Sequence, residues 1–448
     1  MDQTPLLEQA RISLAGLRDF ANDITSPNIR LGVTGLSRAG KTVFITALIH
    51  ALTHKGRLPL LSAYREGRLL SVRLAPGPDP AIPRFAYEQH VEALTGDNRH
   101  WPESTHKLSQ IRLALEISKR GFLGGAKSPS ILYLDIIDYP GEWLLDLPLL
   151  SQTYAQWVAG LKSRFANMPI ADGALEASDL EADKAHQIFR EFGKGLPGRF
   201  LMPGDLEGSG LLTFAPCENE GPLHHLMRER YQAYLEKIVR PFWRDHLARL
   251  DRQIVLTDVL SALNDGPKAL ETLQNDLTNL LAAFRQGAQN WASRILGRRI
   301  DRILFAATKA DRLHHTSHDR LEAILAKLIE QAAEAARMRG ADIGITALAA
   351  IRATREARVR EGSEELSCII GTPEQGETLD NTVFDGKTEA ALFTGDLPVN
   401  PDHAFDGSLI GAVSFPRLRP PLSPTMDAGL AHIRLDKALE FLIGDRLT

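Results

Sequence analysis

Ile29, Leu31 and Val33 alternate with Arg30 and Gly32, the period of two expected of a short strand. After a glycine-rich turn, Phe44, Ala47, Leu48, Ala51 and Leu52 recur at i, i+3, i+4, i+7 and i+8, which predicts a helix beginning near Lys41. Leu58–Ala63 and Arg68–Leu74 read as short strand-like runs, and a helical stretch follows to about Gly96. Leu113, Leu115 and Ile117 alternate with polar residues, as in a half-exposed strand, while Ile131–Ile137 is almost continuously apolar, as in a buried central one. The turn between them carries Gly121, Gly124, Gly125 and Pro129, so the first of the pair reads as an antiparallel edge beside a parallel sheet. Later strands are expected at Arg252–Val259, Ile303–Ala307 and Ile343–Ile351, separated by helices over Pro267–Arg285 and Arg320–Met338.

The remaining segments have a different texture. Leu7, Ala10, Leu14, Leu17 and Ala21 predict a helix over residues 1–21 ahead of the first strand. Residues 150–250 carry three helical patterns, Tyr154–Phe165, Leu180–Phe192 and Leu223–Leu250, around a Gly- and Pro-rich loop, too much chain for a plain crossover. Beyond Arg355 the runs Leu366–Gly371, Ala390–Phe393 and Ser408–Phe415 are β-like; a final helix buries Leu435, Leu439 and Leu442, with Asp427 as a candidate N-cap. The expected division is an α/β domain from 22–149 and 251–355, a mainly helical insertion at 150–250, and a β-rich appendage with a terminal helix at 356–448.

Composition alters little in this picture. The 448 residues are 44% apolar and 24% charged with a net charge of −4, which gives no reason to expect nucleic-acid binding. Two cysteines, Cys217 and Cys368, lack metal-ligand spacing and suit a reducing compartment. With no secretory signal and no run of about 20 apolar residues, a cytoplasmic protein is expected. His224 and His225 have no further spaced ligands and read as surface residues, and the basic group Arg294, Arg298, Arg299 and Arg302 reads as a solvated helix face.

Candidate chemistry starts with Gly35-Leu36-Ser37-Arg38-Ala39-Gly40-Lys41-Thr42, which fits the phosphate-binding pattern G-x-x-x-x-G-K-[ST] in the strand–turn–helix setting that pattern needs. Gly35 and Gly40 permit backbone angles closed to other residues. Amides from Ser37, Arg38, Ala39, Gly40 and Val43 then face a polyphosphate at the positive end of the helix dipole. Lys41 reaches the terminal phosphates and the Thr42 hydroxyl ligates Mg²⁺. Arg38 either offers a further charge to the phosphates or faces solvent.

Trp101-Pro102-Glu103-Ser104-Thr105 lies where a mobile loop would bring a threonine to metal and γ-phosphate; Thr105 is the candidate, Ser104 the fallback. The buried strand ends in Asp138-Tyr139-Pro140-Gly141, a D-x-x-G in which Asp138 would hold Mg²⁺ through water and the Gly141 N–H would meet the γ-phosphate. Asp135 is a rival for the metal role. Glu142 follows, either orienting the attacking water or simply exposed; a carboxylate there implies slow hydrolysis without a partner. Thr308-Lys309-Ala310-Asp311 matches [NT]-K-x-D, in which Asp311 accepts from the two adjacent N–H donors of guanine and the Lys309 stem lies along the ring. Ala350 and Ile351 sit where a backbone N–H would meet the guanine oxygen.

These four motifs, with Trp143 and the ending His432-Ile433-Arg434-Leu435-Asp436-Lys437 and Phe441-Leu442-Ile443-Gly444-Asp445-Arg446, resemble the YcjX family of bacterial P-loop GTPase-like stress proteins. The expected fold is α/β: a Ras-like P-loop NTPase domain, mostly parallel with one antiparallel edge strand, plus the helical insertion and the β-rich appendage. The resemblance implies guanine-nucleotide binding (GTP and GDP) with Mg²⁺, and a link to envelope stress beside a protein partner at the inner membrane. A GTP-hydrolysing switch is the first reading; a nucleotide-gated scaffold with negligible turnover is the alternative, and an ATP-dependent phosphotransferase is disfavoured by Asp311.

Overall fold

The computed structural model describes residues 27–35, 38–54, 56–103, 108–118, 129–139, 141–165, 167–194, 213–286, 300–338, 340–361, 364–379, 381–421 and 429–448. The helix expected over 1–21, Ser37, Ser104 and Thr105, the glycine turn at 121–125, Arg294, Arg298 and Arg299, and the Asp427 cap lie outside the described residues, and Glu142 is described in backbone alone.

Seven strands form the central sheet: β1 (Asn28–Gly35), β2 (Leu69–Ala75), β3 (Ser109–Ser118), β4 (Pro129–Asp138), β5 (Arg252–Thr257), β6 (Arg302–Ala307) and β7 (Asp342–Ala347). Their order is β2-β3-β4-β1-β5-β6-β7. β4, β1, β5, β6 and β7 run parallel, and β3 is antiparallel to both its neighbours. The sheet is therefore mostly parallel with one reversed strand, as the alternation predicts, but β2 pairs outside β3 and takes the edge position. Within β3, Ile111, Leu113, Leu115 and Ile117 lie inside while Arg112 and Glu116 on the other face are partly exposed, the half-exposed alternation expected.

Both faces of the sheet are covered, so successive strand residues alternate between two apolar clusters. Ile254 and Leu256 of β5, with Leu304 and Ala306 of β6, join α1 (Lys41–Thr53), α2 (Tyr87–Thr95) and the terminal helix α9 (Leu435–Ile443). Val255, Ile303, Phe305 and Ala307 face the other way, onto α7 (Pro267–Gln286) and α8 (His318–Arg337). Among the described residues, the segment 141–250 shares this second cluster and forms no separate one. Its helices α3 (Tyr154–Arg164), α4 (Asp179–Lys194) and α5 (Pro222–Tyr234) meet in an aromatic knot in which Trp157 stacks on Tyr231 at 5.7 Å and Phe214 stands edge-on to both at 5.2 Å. α6 (Val259–Asp265) directly follows β5.

The terminal helix docks on the sheet through a buried cation. Arg252, 1% exposed, donates from Nε to the Leu442 carbonyl at 2.9 Å and from its guanidinium to Asp445 at 2.8 Å. Leu58–Ala63 is not a strand: Pro59 offers no backbone donor, and the amides of Leu60 and Ser62 go to Asp436 (3.0 Å) and Glu440 (2.9 Å) of the terminal helix. The appendage sheet is β8 (Arg355–Glu361), β9 (Glu364–Gly371) and β10 (Ala390–Leu392), all antiparallel. Ser408–Phe415 makes no strand, because Gly407 and Gly411 turn the chain at φ 86° and 75°. Among the described residues no helix is long and apolar enough to cross a membrane.

Candidate functional site

The C-terminal ends of the parallel strands deliver the sequence-predicted residues to one crevice. β1 ends at Gly35, where an added Cβ would stand 3.1 Å from both the Ala39 and Leu256 Cβ atoms; the loop folds back so closely that a side chain there would require its neighbours to give way. Arg38 and Gly40 take left-handed backbone angles, φ 66° and 83°, and Gly40 caps α1 with no side chain bonded to the first turn. No acidic residue occupies that turn, so the positive end of the helix is left to whatever fills the crevice. Arg38 is exposed.

Lys41 opens the helix with its Nζ 3.7 Å from a carboxylate oxygen of Asp138, which lies at the end of β4 and is 1% exposed. Thr42 is buried beside them, its hydroxyl 3.4 Å from the Glu103 carbonyl. A carboxylate, a threonine hydroxyl and no sulfur or imidazole make a donor set for a hard divalent cation such as Mg²⁺. Asp135, the rival carboxylate, is engaged by Arg112 of β3 at 2.5 and 2.7 Å and is turned away from this role. Gly141, the last residue of the D-x-x-G, begins a 3₁₀ helix, Gly141–Ser151.

Beneath the phosphate loop lies a polar ring that sequence reasoning missed. The Tyr139 hydroxyl donates to Gln253 Oε1 at 3.1 Å, Gln253 Nε2 donates to the Thr34 hydroxyl at 2.5 Å, and a bond between the Thr34 and Tyr139 hydroxyls closes the circuit. All three side chains are fully buried, and burial pushes the Tyr139 hydroxyl far above the usual tyrosine range, so it stays a donor. The ring joins β1, β5 and the residue after Asp138. The one trace in the sequence is a tyrosine in the second position of the D-x-x-G.

At the other end of the crevice, Lys309 takes φ 62° and its ammonium pairs with Asp258, a partner not anticipated from the sequence. Burial lowers the Lys309 pKa, opposed by Asp258. Asp311 is 6% exposed; burial raises its carboxyl above the usual range, opposed by the hydrogen bond its Oδ2 accepts from the Ala353 amide at 2.9 Å. The Thr354 hydroxyl donates to the Asp311 carbonyl at 2.5 Å, and the amide of Ala310 to Leu348 at 3.1 Å. Strand β7 stops at Ala347, so Ala350 and Ile351 lie in the following loop, not in a strand. That loop is braced by paired backbone bonds between Ala349 and Ile433 and by the Arg352 amide on Ala431 at 2.7 Å. Below the base end, His315 Nδ1 lies 2.6 Å and His314 Nε2 3.7 Å from Glu356, tying the loop after Asp311 to β8. His224 and His225 gather no third metal ligand among the described residues.

A cavity of about 390 Å³ runs between these two ends. Gly35 and Arg38 through Val43 line one side, Thr308, Lys309 and Asp311 another, and Ala350, Ile351 and Ala353 the far end. Trp101, Pro102 and Glu103 enter from the segment before the predicted mobile threonine. Glu374, Arg417 and Leu418 of the appendage supply a further wall that no motif announced.

The profile of the YcjX-like family, DUF463, matches residues 29–447. A protein of Escherichia coli named Ras-like GTPase YcjX is 38% identical, the alignment covering 96% of this chain and 98% of that one. A protein of the same name from Shewanella oneidensis is 34% identical over 94% of this chain and 95% of its own. A solved signal recognition particle receptor complex, SRb-GTP/SRX from Chaetomium thermophilum, aligns with 75% of this chain and 95% of that one at 12% identity; its TM-score of 0.27 carries no argument about this chain.

Proposed function

This chain belongs to the YcjX-like family, and on that premise we propose that it binds guanine nucleotides and hydrolyses GTP to GDP with Mg²⁺, working as a conformational switch. The observation that carries the reading is the single cavity with a helix N-terminus and Lys41 at one end and the buried Asp311 carboxylate at the other. Its ends match the two ends of a nucleotide, anionic and base.

In this reading, the loop amides from Gly35 to Val43 and the Lys41 ammonium hold the β- and γ-phosphates and stabilise charge on the transferring phosphoryl group. Thr42, Asp138 and Thr105 hold Mg²⁺, which neutralises phosphate charge when bound. Gly141 senses the γ-phosphate through its amide, and Glu142 orients water. Asp311, fixed by Ala353 and Thr354, accepts from the guanine edge, while the Asp258 pair extends the Lys309 stem. Relatives named as GTPases support the chemistry. The stress role and a protein partner at the inner membrane rest on the family resemblance.

The test is a titration with GDP, GTP, ADP and ATP in Mg²⁺, repeated for Asp311→Asn with xanthine nucleotides. The wild type should prefer guanine. The variant should prefer xanthine by at least about tenfold, since an amide in place of the carboxylate swaps an acceptor for a donor. Equal affinity for ATP would end the guanine reading. Single-turnover hydrolysis then separates a GTPase from a scaffold, which leaves bound GTP intact over hours.

A further inference from the structure

The appendage wall of the cavity is a built object and not a passing loop. Pro373 and Leu418 form an antiparallel bridge, flanked by the Glu374 amide on the Arg417 carbonyl and the Arg419 amide on Thr372, each at 2.8 Å. Arg417 Nε sits between Glu377 at 2.7 Å and Glu374 at 3.5 Å, which fixes the guanidinium at the cavity rim. The ribbon leans on the base end: Gly371, which precedes it, lies so close to Thr354 that an added Cβ would stand 3.1 Å from Thr354 Cγ2.

The same ribbon holds the chain that leads to the predicted mobile threonine. Trp101 Nε1 donates to the Leu418 carbonyl at 2.6 Å, and the Arg419 guanidinium donates to the Arg99 carbonyl at 3.3 Å. Two residues on from Trp101, the Glu103 carbonyl lies against the Thr42 hydroxyl at the phosphate end. One short path thus runs from the appendage, through 99–103, to the head of α1.

We propose that the ribbon of 372–374 and 417–419 is a strap across the nucleotide site, with Glu374 accepting from the ribose hydroxyls, and that nucleotide leaves when the Trp101–Leu418 bond opens. The inference rests on the guanine-nucleotide reading above and adds the contact and the gate. Ribose is the assigned moiety because phosphates belong to the Lys41 end and the base to the Asp311 end, which leaves the sugar for Glu374, the cavity-lining carboxylate of the strap. A carboxylate is the acceptor a vicinal diol needs.

The experiment measures dissociation of a fluorescent GDP from wild type, Trp101→Phe and Glu374→Gln, together with equilibrium affinities for GDP and 2′-deoxy-GDP. Phe keeps an aromatic ring but removes the N–H together with the five-membered ring of the indole, so release should accelerate by at least about threefold, the share of one hydrogen bond plus the lost packing. Wild type should bind GDP more tightly than its 2′-deoxy form, and Glu374→Gln should shrink that preference at least about threefold. Unchanged circular dichroism and melting temperature certify the fold of each variant. If wild type binds no guanine nucleotide, the functional reading fails. If it binds and both variants keep wild-type release rates and sugar preference within twofold, the strap inference fails while the functional reading survives.

Discussion

Replacing Tyr139 by Phe tests whether the buried ring beneath the phosphate loop is a structural joint. The hydroxyl donates to Gln253 and shares a bond with Thr34, at a position with no solvent to take its place. Phe preserves the ring and its edge contact with Phe242 at 5.6 Å, so little cavity forms. What is lost is polar: Gln253 Oε1 and the Thr34 hydroxyl hydrogen are stranded together. At about 1–3 kcal/mol for each stranded buried group, with Gln253 Nε2 still bonded to Thr34 and to the Ile254 carbonyl, the expected cost is about 2–4 kcal/mol. Urea unfolding of nucleotide-free protein measures it, and a cycle with Gln253→Leu isolates the cause. Removing both partners should cost less than the sum of the single changes, because the orphaned acceptor disappears with its donor. A single-variant cost under about 0.5 kcal/mol, or an additive cycle, would refute the joint.

Two further outcomes are expected. Lys41→Ala should weaken GDP and GTP binding by about a hundredfold, the loss of charge-assisted bonds at the phosphate end; isothermal titration checks this, and retained affinity removes the phosphate-loop assignment. His50 is fully buried in α1 against Tyr87 (3.2 Å) and stacked on His54, and burial, with His54 second, lowers its pKa to about 4. The unfolded chain protonates near 6.5 and the folded one near 4, so stability from neutral His50 is complete above pH 6.5 and declines as pH falls from 6.5 towards 4, by up to about 3 kcal/mol. His50→Gln should flatten that part of the urea-midpoint profile; an unchanged slope would show that other groups set it.

Most strands of the sheet were legible because each is written locally. A strand buried on both faces reads as a continuous apolar run, and Ile131–Ile137 and Ile303–Ala307 say so without help from the rest of the chain. The loop ending in Lys41-Thr42, the Asp138 terminus and Asp311 were legible for the same reason, as each is punctuation at the end of such a run. Partnerships across long sequence separations were not. Asp258 and Lys309 are 51 residues apart, Trp101 and Leu418 are 317, and nothing near any of them marks the other. Leu58–Ala63 misled because its apolar spacing fits a strand, whereas its amides are claimed by carboxylates near residue 440.

The two additions to the sheet each take hold of a different segment beside the phosphate end. The 3₁₀ stretch after Gly141 is gripped by the helical segment: Tyr234 donates to Asp146 at 2.5 Å, Tyr231 reaches the Leu149 carbonyl at 3.3 Å, and Trp143 stands edge-on to Phe242 at 5.1 Å. The 99–103 segment is gripped by the appendage through Leu418 and Arg419. If γ-phosphate draws either segment inward, as the switch reading requires, it does so against hydrogen bonds of about 0.5–1.5 kcal/mol each. That opposition is a coupling free energy, and coupling is reciprocal: a partner that loosens the aromatic knot or the ribbon must shift GTP and GDP affinity by the factor with which the nucleotide shifts its own. On the proposed switch reading, the additions would then act as two separate handles on one nucleotide site, through Tyr234 on one side and Leu418 on the other.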